Sequence, residues 1–233
     1  FVADQWCPYN CAPESDAPGF MVELAQAAFS RHGITIDYRL MPWSRAIEET
    51  RQGKFTAVVG ASFNDAADFI FPDVPQGRMQ SCFYVKEDSG WRYQGLDSLH
   101  QVSLGVVADY AYGDKLDDYI RLHRKEPKRI QAISGDNGLE LNIRKLMAGR
   151  INALLEDCTV MDYHISLHHE GESITPAGTF PETDQAALHI AFSPANPESK
   201  RYAKILSDET HAMHRSGELK KILDKYGVES WLK

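Results

Sequence analysis

A helix, a glycine and a short apolar strand occur in that order twice in this chain, and the repetition constrains the fold more than any other feature. The first copy runs through residues 42–60, Pro-Trp-Ser-Arg-Ala-Ile-Glu-Glu-Thr-Arg-Gln-Gly-Lys-Phe-Thr-Ala-Val-Val-Gly. Pro42 suits a first helical turn, where a missing N–H costs nothing. Ala46 and Ile47 give the helix a short apolar face, and Gly53 can take the left-handed conformation that ends it. Phe55-Thr-Ala-Val-Val is short, apolar and β-branched, as a strand covered on both faces should be. The second copy is the helix face Asn142-Ile-Arg-Lys-Leu-Met-Ala, the stop Gly149 and the strand Arg150-Ile-Asn-Ala-Leu-Leu. One unit used twice predicts two similar α/β lobes, and two copies are too few for a solenoid.

The remaining elements fit the same pattern. Phe1–Gln5 reads as a first strand and residues 7–18 as a Pro-, Asp- and Ser-rich loop. Residues 19–31 read as a helix from the spacing of Phe20, Leu24, Ala28 and Met21, Ala25, Phe29. Residues 34–40 alternate as a strand with one covered face, and residues 64–68 read as one helical turn. Strands are predicted at 78–86, 102–107, 129–133 and 186–192. Helices are predicted at 114–124, 159–168, 197–214 and 217–226. Strand–helix alternation of this kind implies mostly parallel sheets with helices on both faces.

At 233 residues the chain suffices for one large or two small domains. A formal charge of −8 argues against nucleic acid or an anionic membrane surface as the main partner. No apolar run approaches the ~18–20 residues of a membrane span. Phe1-Val-Ala-Asp reads as a strand from the outset, so no signal peptide is expected within these residues. Of the four cysteines, Cys7 and Cys11 flank a Pro-Tyr-Asn turn that can bring them within disulfide range, with free thiols as the alternative. Four cysteines allow three connectivities, and the sequence leaves the pairing of Cys82 and Cys158 open, with buried small hydrophobes as one reading.

Several motifs, in order, resemble the family 3 extracytoplasmic solute-binding proteins, the amino-acid-type receptors of bacterial ABC importers. Trp6-Cys-Pro-Tyr9 is similar to the family's aromatic-x-Pro-aromatic after the first strand. Gly19-Phe-Met-Val-Glu-Leu resembles its Gly-Phe-x-x-Asp-Leu helix start. Pro42-Trp-Ser-Arg with Gly53-Lys-Phe-Thr-Ala resembles the next helix and strand, and Phe71-Pro the Phe-Ser/Pro before the crossover. Gly149-Arg-Ile-Asn-Ala resembles Gly-Arg-x-Asp-Ala, and residues 216–227 resemble the C-terminal helix. The resemblance implies a two-lobe periplasmic-binding-protein type II fold, α/β with mixed sheets joined by two hinge strands. These strands are expected near residues 80–86 and 185–191. Lobe one would be residues 1–83 and 188–233, and lobe two residues 84–187. It also implies a periplasmic monomer that takes a small-molecule ligand into an interlobe cleft, outside the carboxyl ends of the strands. Closure would bury the ligand and deliver it to a membrane permease, with no cofactor, metal or nucleic acid.

Carried onto this sequence, the resemblance marks Trp6 and Tyr9 as ligand contacts, Trp6 as the stacking ring; the competing reading is a loop tryptophan covering the disulfide. Trp43 and Arg45 open a helix whose N-terminus should attract anions, against a solvated surface pair for Arg45. Ser62 and Asp65 follow the first buried strand. Asp109 and Tyr110, with Tyr112, follow the strand at 102–107, where the family has a small-residue loop for ligand oxygens. Asp157 follows the second buried strand, where relatives pair an aspartate with the ligand's α-ammonium; a helix N-cap competes and is compatible.

One departure matters most. Amino-acid binders of the family carry an arginine six residues before the Phe of Phe-Pro, and here that position is Asp65. Without a guanidinium the α-carboxylate loses its main partner. Asp65, Asp109 and Asp157 together would instead suit a cationic ligand such as a polyamine. Two other function classes compete. One is an enzyme on the same fold, cyclohexadienyl dehydratase-like, with Glu156 or Asp157 as acid/base; the other is the sensor domain of a membrane receptor. His164, His168 and His169, and His211 and His214, sit at helical spacing and read as exposed histidines rather than a metal site.

Overall fold

The computed structural model describes residues 1–134, 137–168, 173–181 and 187–232. The chain divides into two compact units, Phe1–Arg78 with Ala187–Lys233, and Met79–Ala186. The division falls five residues earlier than residue 83 because β5 (Ser81–Lys86) pairs along its length with strands of the second unit.

The first unit holds a five-stranded sheet in the order β2-β1-β3-β10-β4. Its strands are β1 (Val2–Ala3), β2 (Arg39–Leu40), β3 (Ala57–Ala61), β4 (Gly77–Arg78) and β10 (Ala187–Phe192). β1 runs parallel to β2 and β3, whereas β10 runs antiparallel to β3 and β4. Helices α1 (Phe20–Ser30), α2 (Trp43–Arg51), α6 (Ser199–Ser216) and α7 (Glu218–Lys225) complete it. Phe20, Leu24, Ala28 and Phe29 of α1 are buried, as their helical spacing predicts. Phe29 meets Phe1, Phe192 and Tyr202 edge-on, so aromatic packing ties α1 and α6 to the sheet.

The second unit repeats the arrangement. Its sheet has the order β7-β6-β8-β5-β9, built from β5, β6 (Leu104–Val107), β7 (Ile130–Ile133), β8 (Ala153–Asp157) and β9 (Ile174–Thr179). β6 is parallel to β7 and β8, and β5 is antiparallel to β8 and β9. The helices are α3 (Asp114–His123), α4 (Gly138–Met147) and α5 (Cys158–Leu167), with a 3₁₀ turn at Leu96–Gln101. Alternate residues of β5 feed two cores. Phe83 and Val85 pack with Leu104, Val106, Leu116 and Leu155, while Cys82 and Tyr84 pack with Ile143, Leu146, Leu154 and Met161. Each large apolar side chain so buried contributes ~1.5–3 kcal/mol.

The duplicated element occupies the same place in both units: β3 and β8 are the central strands of their sheets. The glycine stops also match in detail. The Gly53 N–H donates to the Thr50 carbonyl and the Lys54 N–H to that of Glu49; the Gly149 and Arg150 N–H groups donate to Leu146 and Lys145. Both are Schellman closures, with Gly53 at φ 80° and Gly149 at φ 65°.

Both sheets are mixed rather than mostly parallel. In each, the central strand has a parallel neighbour on one side and an antiparallel one on the other. The predicted strand at 34–40 shrinks to Arg39–Leu40, because its partner β1 is only two residues long. Residues 64–68 form turns rather than a helical turn. All four cysteines are paired, Cys7 with Cys11 and Cys82 with Cys158. The second bridge supplies the pairing of Cys82 and Cys158 that the sequence leaves open. Cys82 sits opposite Glu156 in the β5–β8 ladder, two residues from Cys158, which places the thiols together.

Candidate functional site

In the first unit the candidate residues follow the carboxyl ends of the parallel strands β1, β2 and β3. Trp6 closes a tight turn: its N–H donates to the Asn10 carbonyl at 2.8 Å, and the Cys7–Cys11 bridge spans the same residues. Its indole stacks on the Tyr9 ring with centroids 4.5 Å apart and planes 17° from parallel. Tyr9 itself is 1% exposed, and its hydroxyl donates to the Arg78 carbonyl at 2.5 Å. Tyr9 is therefore the floor beneath a half-buried Trp6. Gly60, at φ 89°, leaves room for this pair, since a Cβ there would stand 3.2 Å from the Asn10 side-chain oxygen and 3.8 Å from the Trp6 ring.

Trp43 is the first residue of α2 and is buried, with 9% exposure. Its indole is a donor to the Asp65 carboxylate, and Asp65 Oδ2 also accepts from Ser62 N at 2.7 Å and Ser62 Oγ at 2.5 Å. Burial pushes the Asp65 carboxyl above its ordinary range, while the Ser62 and Trp43 donors pull against it. Trp43, Ser62 and Asp65 thus form one hydrogen-bonded group on α2 and the turn after β3. Arg45 lies outside that group. It is exposed and pairs with Glu49 one helical turn on, at 2.7 Å, which is the surface-pair alternative.

In the second unit the candidates gather at the carboxyl ends of β6 and β8. Asp157 ends β8 and is the N-cap of α5. Its Oδ1 accepts from Val160 N at 3.0 Å and its Oδ2 from Gln80 N at 2.8 Å; the Cys158 N–H donates back to the Gln80 carbonyl at 2.9 Å. The Cys82–Cys158 bridge lies next to this clamp, so a carboxylate only 1% exposed is held on two sides. Glu156 is equally buried, and its Oε1 accepts from the Asp157 N–H at 2.9 Å. Burial drives the Tyr84 phenol up, reinforced by the nearby Asp162, Asp157 and Glu156 carboxylates.

Asp109 follows β6 in the left-handed conformation, φ 65°, and is exposed. Tyr110 is half-buried, with its ring 6.2 Å from that of Tyr112. Tyr112 is core: its hydroxyl accepts from Val107 N at 2.8 Å, and its own N–H donates to Asp117. The Asp117 carboxylate also accepts from Gly113 N, which fixes the turn into α3.

The chain matches the family model of the bacterial extracellular solute-binding proteins, family 3, over residues 1–229. It belongs to that family. Among solved structures, this solute-binding protein is similar to an ancestral arginine-binding protein bound to arginine. The TM-score is 0.76 at 17% identity, covering 97% of this chain and 95% of that one. An amino acid ABC transporter substrate-binding protein from Streptococcus pneumoniae, bound to L-arginine, gives a TM-score of 0.73 at 16% identity, covering 97% and 91%. A histidine kinase sensor domain with similarity to periplasmic binding proteins gives 0.75 at 18% identity, covering 97% and 93%. These likenesses establish the fold, the type II periplasmic-binding-protein architecture. No curated protein matches the chain.

Two side chains at the same edge of the family fold were missed in the sequence. Phe63, directly after Ser62, is 60% exposed. His189 on β10 lies opposite Ala61 of β3, and its ring is edge-on to Phe71. A lone histidine in an apolar strand and a phenylalanine at a strand end carry no pattern of their own; only the ladder register brings them together. The rings of His164 on α5 and of His168, its C-cap, lie 4.4 Å apart and tilted by 37°, and His169 lies outside the described residues. Among the described residues no group of three or more His, Cys, Asp or Glu could hold a metal, and no helix is long and apolar enough to cross a membrane.

Proposed function

We propose that this chain captures a small cationic solute, amino-acid-like or a simple amine, in the periplasm and delivers it to an ABC-type membrane permease without altering it. One observation carries the cationic reading. The position where amino-acid binders of the family place a guanidinium holds Asp65, and its carboxylate is tied to Ser62 and Trp43. A ligand α-carboxylate would meet like charge there rather than a bidentate partner. The Asp157 carboxylate, held by two backbone N–H groups, supplies the anion for an ammonium, with two oxygens that can each accept more than one donor. Trp6 and Trp43 supply flat aromatic surface, on which cations are also favoured.

Binding without chemistry is supported by the second strand pair. Glu156 and Asp157 are consecutive on β8 and so project to opposite faces of the sheet, which does not suit a joint acid/base role. A receptor-sensor role uses the same binding chemistry and differs only in what the fold is attached to.

A thermal-shift screen over putrescine, agmatine, L-arginine, L-glutamate and neutral sugars tests the proposal. Ligand at about a hundred times its dissociation constant stabilises by ~2.7 kcal/mol. The expected result is a rise in Tm with at least one cation and none with L-glutamate. A rise with anionic or neutral solutes alone would overturn it.

A further inference from the structure

Several phenylalanines of the first unit, Phe20, Phe29, Phe69 and Phe192, are at most 5% exposed. Phe63 is 60% exposed, although it follows Ser62 directly at the carboxyl end of the central strand. It does not stand alone. Its ring lies 5.5 Å from that of Phe71, and Phe71 in turn meets the His189 imidazole at 5.3 Å, edge-on at 88°.

The backbone is shaped to present this row. The β3–β10 ladder shifts register between His189 and Ile190, and on the β4 side of β10 the Ile190 N–H donates to the fully buried Gln76 Oε1 at 3.0 Å. Such bulges re-aim side chains and gather beside functional sites. The row also carries no charge at neutral pH, because burial pushes the His189 imidazole down to about 4. An uncharged row of three rings, tilted and edge-on to one another and exposed at Phe63, thus follows Ser62 of the Trp43–Ser62–Asp65 group.

We infer that Phe63, Phe71 and His189 form an aromatic subsite for the ring-bearing end of the ligand, so that the solute is an arylalkylamine-type cation rather than a bare polyamine. This rests on the cationic reading above. The uncharged row neither attracts a carboxylate nor repels an ammonium, and its ring faces favour an aromatic body by offset or edge-to-face contact. Phe63 supplies the exposed face, Phe71 supports it, and His189 holds Phe71 from behind.

Titration calorimetry with phenethylamine and putrescine, on the wild-type chain and on Phe63→Ser, tests the inference. Because Phe63 is exposed, the variant should fold with an unchanged Tm. Phenethylamine should bind at least tenfold more tightly than putrescine. Phe63→Ser should weaken phenethylamine at least tenfold and putrescine less than threefold, so that the preference collapses. Equal affinities for the two amines, or an unchanged preference in the variant, would overturn the subsite while leaving the cationic reading in place. Binding of neither amine would overturn the subsite, and the thermal-shift screen with agmatine and L-arginine then decides the cationic reading separately.

Discussion

His189 makes stability fall steeply in mild acid, by an amount the structure supplies. Its imidazole is half-buried, its Nδ1 is without a partner, and desolvation lowers its pKa from 6.5 to about 4. In the unfolded chain the same group titrates at its ordinary value, so as pH drops the unfolded state takes up the proton first. The contribution is therefore fully present above pH 6.5 and is lost as pH falls towards the folded value. Integrated between those two values, the loss is ~2 kcal/mol at pH 5 and ~3 kcal/mol below pH 4. Urea unfolding followed by circular dichroism at pH 7.5 and pH 5.0 reads this directly. His189→Gln removes the titration and keeps a polar side chain. The wild type should lose ~2 kcal/mol more than the variant between the two pH values. Parallel losses in both proteins would refute the argument, since the acid sensitivity would then lie with other groups.

Three further outcomes follow from particular contacts. Gly19→Ala should destabilise by ~3 kcal/mol or more in thermal unfolding, because φ is 109° there and a Cβ would meet the Tyr9 carbonyl oxygen at 2.4 Å. Asp157→Ala should cost ~2–4 kcal/mol by leaving the Gln80 and Val160 N–H groups without their acceptor, and Asp157→Asn, which keeps a capping oxygen, should recover at least half of that in the same assay. Replacing Cys82 and Cys158 together by serine should lower stability by ~2–4 kcal/mol, since the bridge closes a long loop with a sequence separation of 76.

The parts of the fold legible in the sequence are those fixed by local chemistry. A Schellman glycine after an amphipathic turn ends a helix wherever it occurs, so both helix–glycine–strand units could be read directly. β9 could not. Ile174-Thr-Pro-Ala-Gly-Thr contains two residues that disfavour strands, and it pairs only because it lies at the sheet edge beside β5. The alternation of residues 34–38 promised a strand that a two-residue partner could not accommodate. At the candidate site, the aromatic-x-Pro-aromatic motif located the turn but not which ring faces outward; Tyr9 is enclosed and Trp6 covers it. The Ser62–Asp65 closure is a three-residue signal and was within reach. The Cys82–Cys158 bridge, the Asp157–Gln80 hydrogen bond and the Phe63–Phe71–His189 row all depend on strand register between distant segments, which no local pattern encodes.

The account depends most on the claim that this family 3 chain holds a positively charged solute through Asp157. Titration calorimetry of the cation giving the largest thermal shift, against the wild type and Asp157→Asn, tests it most directly. The predicted result is one ligand per wild-type chain and an affinity at least tenfold lower in the variant, which corresponds to ~1.4 kcal/mol or more. An affinity unchanged by the substitution would contradict it.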